Sequence, residues 1–145
     1  MLSLQAIQEE ILGELDTQFV QPIYEVGIPN SATLIRNAQK KVDPYLTIQF
    51  GDIQQGFARN MASSRNDDYY MPVYIQFVAP TAKIAREMYN RCIDKMLSFK
   101  PQYASELTKR PGGSMFPVQS DTGATEAYLF ACSFSVTVQI LSVSA

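Results

Sequence analysis

A chain of 145 residues with 46% apolar and 18% charged side chains is long enough to form one domain, spanning 1–145, without a metal or disulfide to support its core. A net charge of −2 and a pI near 5.1 argue against a phosphate-binding surface, so neither sequence-specific nor general nucleic-acid binding is expected. The chain has no histidine, which removes the commonest general base and the commonest metal ligand.

Residues 3–16 read as an amphipathic helix. Leu4, Ile7, Ile11, Leu12 and Leu15 recur at helical spacing, Ser3 stands as N-cap, and Glu9, Glu10 and Glu14 keep the outer face wet. Gly13 costs this helix up to ~1 kcal/mol relative to alanine. Phe19–Val26 is rich in strand-formers, but Pro22 confines it to an edge or broken strand. A turn follows at Gly27-Ile28-Pro29-Asn30. The next stretch, to Asp43, reads equally as a short helix capped by Asn30 or Ser31 and as a long ordered loop. Pro44 ends it, because the residue before a proline is pushed away from helix.

Leu46, Ile48 and Phe50 then alternate with Tyr45, Thr47 and Gln49 as a strand, which turns at Gly51-Asp52. Ile53–Met61 alternates less cleanly and reads as a second strand, and Ala62–Asp68 reads as an exposed polar loop. Met71, Val73, Ile75, Phe77 and Ala79 form one face of a strong strand. Its other face, Tyr70, Pro72, Tyr74, Gln76 and Val78, is semi-polar and aromatic, as suits a face that is wet or meets a partner. Pro80-Thr81 stops the strand and caps a helix over 81–98, which is roughly 27 Å long at the α-helical rise. Its stripe runs Ile84, Ala85, Met88, Tyr89, Cys92, Ile93, Met96, Leu97, so it must lie on a sheet.

Residues 99–114 are turn-rich, with a helical turn expected at Ala104–Leu107, and Met115–Gln119 is a short strand candidate. After a turn at 120–125 the chain enters one long strand. Tyr128, Phe130, Cys132, Phe134, Val136, Val138 and Ile140 face one way, and Ala131, Ser133, Ser135, Thr137 and Gln139 face the other. At roughly 3.3 Å per residue this strand approaches 46 Å. A domain of this size has a radius of gyration of only about 15 Å, so the strand must bend or project. The fold class that follows is α+β: a largely antiparallel or mixed sheet with two main helices, about 3–16 and 81–98, packed on one face.

No residue set for chemistry emerges, and the chain is not expected to be an enzyme or to need a cofactor or metal. Asp67-Asp68 with Arg65 lack the ligand spacing of a calcium loop and read as a solvated loop. Arg110-Pro111-Gly112-Gly113-Ser114 lacks the lysine placement of a phosphate loop and reads as a mobile surface loop. Glu9, Glu10, Glu14 and Asp16 are solubilising. Lys40-Lys41 and Lys109-Arg110 are isolated basic pairs read as solvated. Tyr69, Tyr70 and Tyr74 lack the basic groove that base-stacking sheets carry. Cys92 and Cys132 fit neither a disulfide framework nor a zinc motif and read as buried free thiols in a reducing cytoplasm. No apolar run approaches the ~20 residues that span a bilayer, and the N-terminus reads as neither signal nor transit peptide, so no membrane partner is expected.

The order of elements resembles the tail terminator, or tail completion, proteins of long-tailed bacteriophages. The resemblance rests on the helix 3–16, the edge strand Phe19–Val26, Gly27-Ile28-Pro29, the Pro-Tyr strand Pro44–Gly51 ending in Phe-Gly, Val73–Thr81 leading through Ala-x-Thr into the helix 81–98, and the terminal strand Tyr128–Leu141. It implies a hexameric ring that caps the tail tube, stops its polymerisation when the tape-measure protein has set the length, and offers a surface to head-completion or connector proteins. It also implies assembly in the bacterial host cytoplasm and a final place in the virion tail. Arg65, Asp67, Asp68, Tyr70, Tyr74, Gln76, Lys109 and Arg110 are the expected subunit or tube contacts. Another phage neck or head–tail joining protein would share this plan. A small-molecule-binding ferredoxin-like domain is a third reading. It would need convergent polar residues on the sheet, for which Gln49, Gln76, Ser133, Ser135 and Thr137 are the candidates.

Overall fold

Strict alternation over 71–79 and 128–138 builds the centre of the molecule. In the computed structural model, which describes residues 4–25, 42–55, 68–102, 104–119 and 125–139, the elements in chain order are α1 (Leu4–Gln18), β1 (Ile23–Glu25), β2 (Tyr45–Phe50), β3 (Gln54–Gln55), β4 (Asp68–Ala79), α2 (Ala82–Met96), β5 (Thr108–Lys109), β6 (Ser114–Gln119) and β7 (Thr125–Gln139). The strands form one mixed sheet in the order β1-β2-β4-β7-β5. β3 also lies against β4, and β6 against β7. β1 runs parallel to β2, and every other pairing is antiparallel. The α+β class read from the sequence is the class observed.

β4 and β7 are the spine. They pair through twelve successive residue pairs, from Asp68↔Gln139 to Ala79↔Tyr128. At ~3.4 Å per residue that ribbon is about 40 Å long. β2 covers only Val73–Val78 of it. At the far end β4 meets the two-residue β3 at Tyr69 and Tyr70, and Ala104 bridges Val138 on the other side.

Both helices lie on one face of this sheet. Ile7, Ile11 and Leu15 of α1, and Ala85, Met88, Cys92 and Met96 of α2, share one buried cluster with Leu46, Ile48, Met71, Val73, Ile75, Phe77, Phe134, Val136 and Val138. Thr81 caps α2 as expected: its hydroxyl accepts from the Ile84 N–H at 3.3 Å. Arg91 fastens the two helices together. Its Nε donates to the Gln18 carbonyl at 2.6 Å, at the open C-terminus of α1, and its guanidinium lies 5.9 Å from the Phe19 ring centroid. Glu10, expected only to be solvated, accepts the Gln102 N–H at 2.7 Å and ties α1 to the segment after α2.

One expectation changes, and two others are refined or lie partly outside the described residues. Ala104–Leu107 is not a helical turn. Ser105 donates its N–H to the Thr137 carbonyl at 2.9 Å and accepts the Thr137 N–H on its hydroxyl at 2.8 Å, so pairing with β7 takes the backbone groups a turn would use. The 110–114 segment, expected as a mobile surface loop, takes the form of a turn. It joins β5 and β6, which lie end to end along the same edge of β7. Within 53–61 the described strand is Gln54–Gln55, Ile53 packs against the core just before it, and 56–61, like most of 28–43, lies outside the described residues. Ser3 and Lys40-Lys41 also lie outside them.

Candidate interaction surface

Successive residues of a strand point to opposite sides, so the rows that do not face the helices form a second face. Register places these side chains in ranks across the sheet: Thr47, Gln76, Ala131 and Ser114, then Gln49, Tyr74 and Ser133, then Pro72, Ser135 and Thr108, then Tyr70 and Thr137. β7 therefore contributes a line of small side chains. Tyr74 from β4 and Phe116 from β6 stand beside that line, 44% and 53% exposed. The Thr47 hydroxyl donates to Gln76 Oε1 at 3.1 Å, which leaves the Gln76 amide nitrogen to act as a donor.

The turn after β5 closes one side of this line. Gly112 and Gly113 take φ of +102° and +111°, a region that costs a side chain strain. A Cβ on Gly113 would also lie 2.9 Å from the Ala131 carbonyl oxygen, so glycine lets the turn press directly on β7. Arg110 donates its N–H to the Ser133 carbonyl at 2.9 Å and holds its guanidinium 5.1 Å from the Tyr70 ring centroid. The result is a furrow made of two adjoining hollows. One, about 510 Å³, lies among Gln49, Tyr74, Gln76, Ser114 and Phe116. The other, about 390 Å³, lies among Tyr70, Pro72, Tyr74, Arg110 and Ser135. Both border Tyr74 and Ser133.

The opposite end of the second face is closed. Val42, Tyr45, Val78 and Ala127 are buried together, with Tyr24, Val118 and Leu129 packed around them, and the Tyr24 and Tyr45 rings meet edge-on at 5.6 Å. Burial, then the Glu126 carboxylate, then Tyr24 raise the pKa of the Tyr45 hydroxyl.

The residues expected from sequence sort into three groups. Tyr70, Tyr74, Gln76 and Arg110 come together on the second face. Lys109 does not join them. It pairs opposite Phe134, on the helix side of the sheet, and its ammonium donates to the carbonyls of Arg110 and Gly112 at 3.1 and 3.2 Å, so it braces the turn rather than sitting solvated. Arg65 and Asp67 lie outside the described residues, and Asp68 contributes its backbone to the first pair of β4. The 108–114 loop, expected from sequence to make contacts, borders this surface through Gly113 and Ser114, but sequence reasoning missed Phe116. The signal was the alternation of 114–119, whose facing is set only once it pairs with β7.

Cys92 and Cys132 are buried and unbridged. Burial pushes the Cys132 thiol up to about 12, with Lys109 partly opposing it, and pushes the Cys92 thiol up as well, reinforced by Cys132. Neither is a reactive thiolate near neutral pH. Among the described residues no group of three or more His, Cys, Asp or Glu side chains could hold a metal, and no helix is long and apolar enough to cross a membrane. No protein-family model matches the chain, and no curated protein matches it in sequence.

Proposed function

We propose that this chain is a tail terminator of a long-tailed phage: a structural, non-enzymatic subunit whose copies close into a hexameric ring. The ring caps the tail tube, halts its growth and presents a surface to head-completion proteins. The observation that carries the reading is the division of the sheet. One face is spent on the core, while the other offers a long, open, aromatic and polar strip. Protein contacts favour such a strip, since interfaces concentrate aromatic side chains and arginine and avoid dense charge. Tyr70, Tyr74, Gln76 and Arg110 would lie in contacts with the tube rather than between subunits.

A neck or head–tail joining subunit would use the same surface, and its partner separates it from a terminator. The ferredoxin-like alternative fits less well. β4 and β5, which flank α2 in the chain, do run parallel on either side of β7, as in a split βαβ unit, but among the described residues no carboxylate joins Gln49, Gln76 and Ser133 on the second face to make a polar binding site.

Light scattering with the purified chain tests the ring: a mass six times the monomer is expected, alone or on addition of tail tubes. Negative-stain microscopy of tubes grown with the chain should show capped tubes of arrested length. A chain that stays dimeric and leaves tube growth unchanged sinks the proposal.

A further inference from the structure

The furrow on the second face has a length, a floor and one charged end. From the rank of Leu129 and Phe116 to the rank of Thr137 and Tyr70 is eight residues along β7. That is about 27 Å, the span of eight residues of extended chain. Its floor is made of Ala131, Ser133 and Ser135, which leave room for side chains laid from above. A site for a compact small molecule encloses most of its ligand. This one is an open trough, and its shape suits a strand-like segment.

Charge decides what kind of segment. Among the described residues that line the two hollows, Arg110 is the only charged side chain and none is a carboxylate. Its guanidinium is held at the Tyr70 end by the aromatic ring beneath it. The trough therefore carries its positive charge at one end, with aromatic flanks at Tyr74 and Phe116.

We infer that this furrow binds an extended acidic peptide segment of another protein, its carboxylates at Arg110 and an aromatic or large apolar side chain seated between Tyr74 and Phe116. Arg110 offers paired N–H donors to a carboxylate. Gln76, Gln49 and Ser133 supply the polar contacts for the peptide backbone. This site does not depend on ring formation and is tested apart from it.

Fluorescence anisotropy with a fluorescein-labelled octapeptide, two aspartates followed by alternating small residues and phenylalanine, measures it directly. A control peptide replaces the aspartates with lysines. The acidic peptide is expected to bind at least about ten-fold more tightly than the basic one. Arg110→Glu should reverse that preference. Ser133→Trp should fill the trough and abolish binding, and Phe116→Ser should weaken it about five-fold should the tryptophan variant not fold. Equal binding of both peptides, or a preference that survives Arg110→Glu, overturns the inference. Loss of the ring in light scattering with peptide binding intact counts against the ring alone, and an intact ring that ignores both peptides counts against the furrow alone.

Discussion

The two faces of the β4–β7 pair are made from alternate residues of the same two strands, yet they have opposite fates. Val73, Ile75, Phe77, Phe134, Val136 and Val138 are wholly buried under the helices, while Tyr74, between Val73 and Ile75, is 44% exposed. One residue of register would exchange the two sets. The helix-facing side is where stability is concentrated. The other buries Tyr45 and Val78 at one end and the small or short residues Thr47, Pro72 and Ser135 further along, and leaves Tyr74 and Phe116 exposed.

The comparison is broken most directly by truncating one residue from each side. Phe134→Ala is expected to cost about 3–5 kcal/mol, because it opens a cavity between sheet and helices. Tyr74→Ala is expected to cost under about 0.5 kcal/mol. Urea unfolding followed by circular dichroism measures both, and similar costs would mean that the second face is a core as well.

Alkaline pH acts on the helix side through its thiols. Cys132 keeps its proton up to about 12 when folded, against an ordinary value of 9.0, and Cys92 is shifted in the same direction. Their contribution is intact below pH 9. It falls as pH rises from there toward the folded value, because the unfolded chain loses protons that the folded chain retains. At pH 10 the loss is on the order of 1 kcal/mol for each thiol, and Tyr45, raised from 10.0, adds to the decline at higher pH. Unfolding free energies at pH 7, 9 and 10 should show the drop, and Cys132→Ala should remove about half of it.

Gly113→Ala tests the junction that shapes the furrow. Its positive φ and the contact with Ala131 put the cost at roughly 1–3 kcal/mol. A neutral result would mean that the turn is not pressed on β7. The smallest effect is expected in α1, where nothing lies within 4 Å of a Cβ at Gly13. Gly13→Ala should stabilise by about 0.5–1 kcal/mol and raise the melting temperature by a few degrees.

What was legible in the sequence follows the same division. The stripe of α2, its Thr81 cap and the apolar ranks of β2, β4 and β7 could be read because period alone decides which side is buried. Tyr45 and Thr47 alternate as outward residues, yet both are buried, because burial there depends on what packs over that end. Ser105 has the local character of a turn residue, and its partner is 32 residues away. Lys109 and Arg110 are neighbours in the chain but serve opposite sides of the sheet, a difference fixed only when β5 finds its register on β7. Half of the expected site, Tyr70, Tyr74, Gln76 and Arg110, converges because three of its members share the parity of one strand.

Pro117 has a consequence beyond β6. It stands inside a strand that, among the described residues, pairs only with β7, so its missing N–H faces the unpaired margin of the sheet. The turn at 110–113 interrupts the same margin a few residues earlier. A margin with a gap in its donors and a break in its line is a poor template for another strand. This margin is thus guarded against edge-to-edge pairing with a strand of another copy.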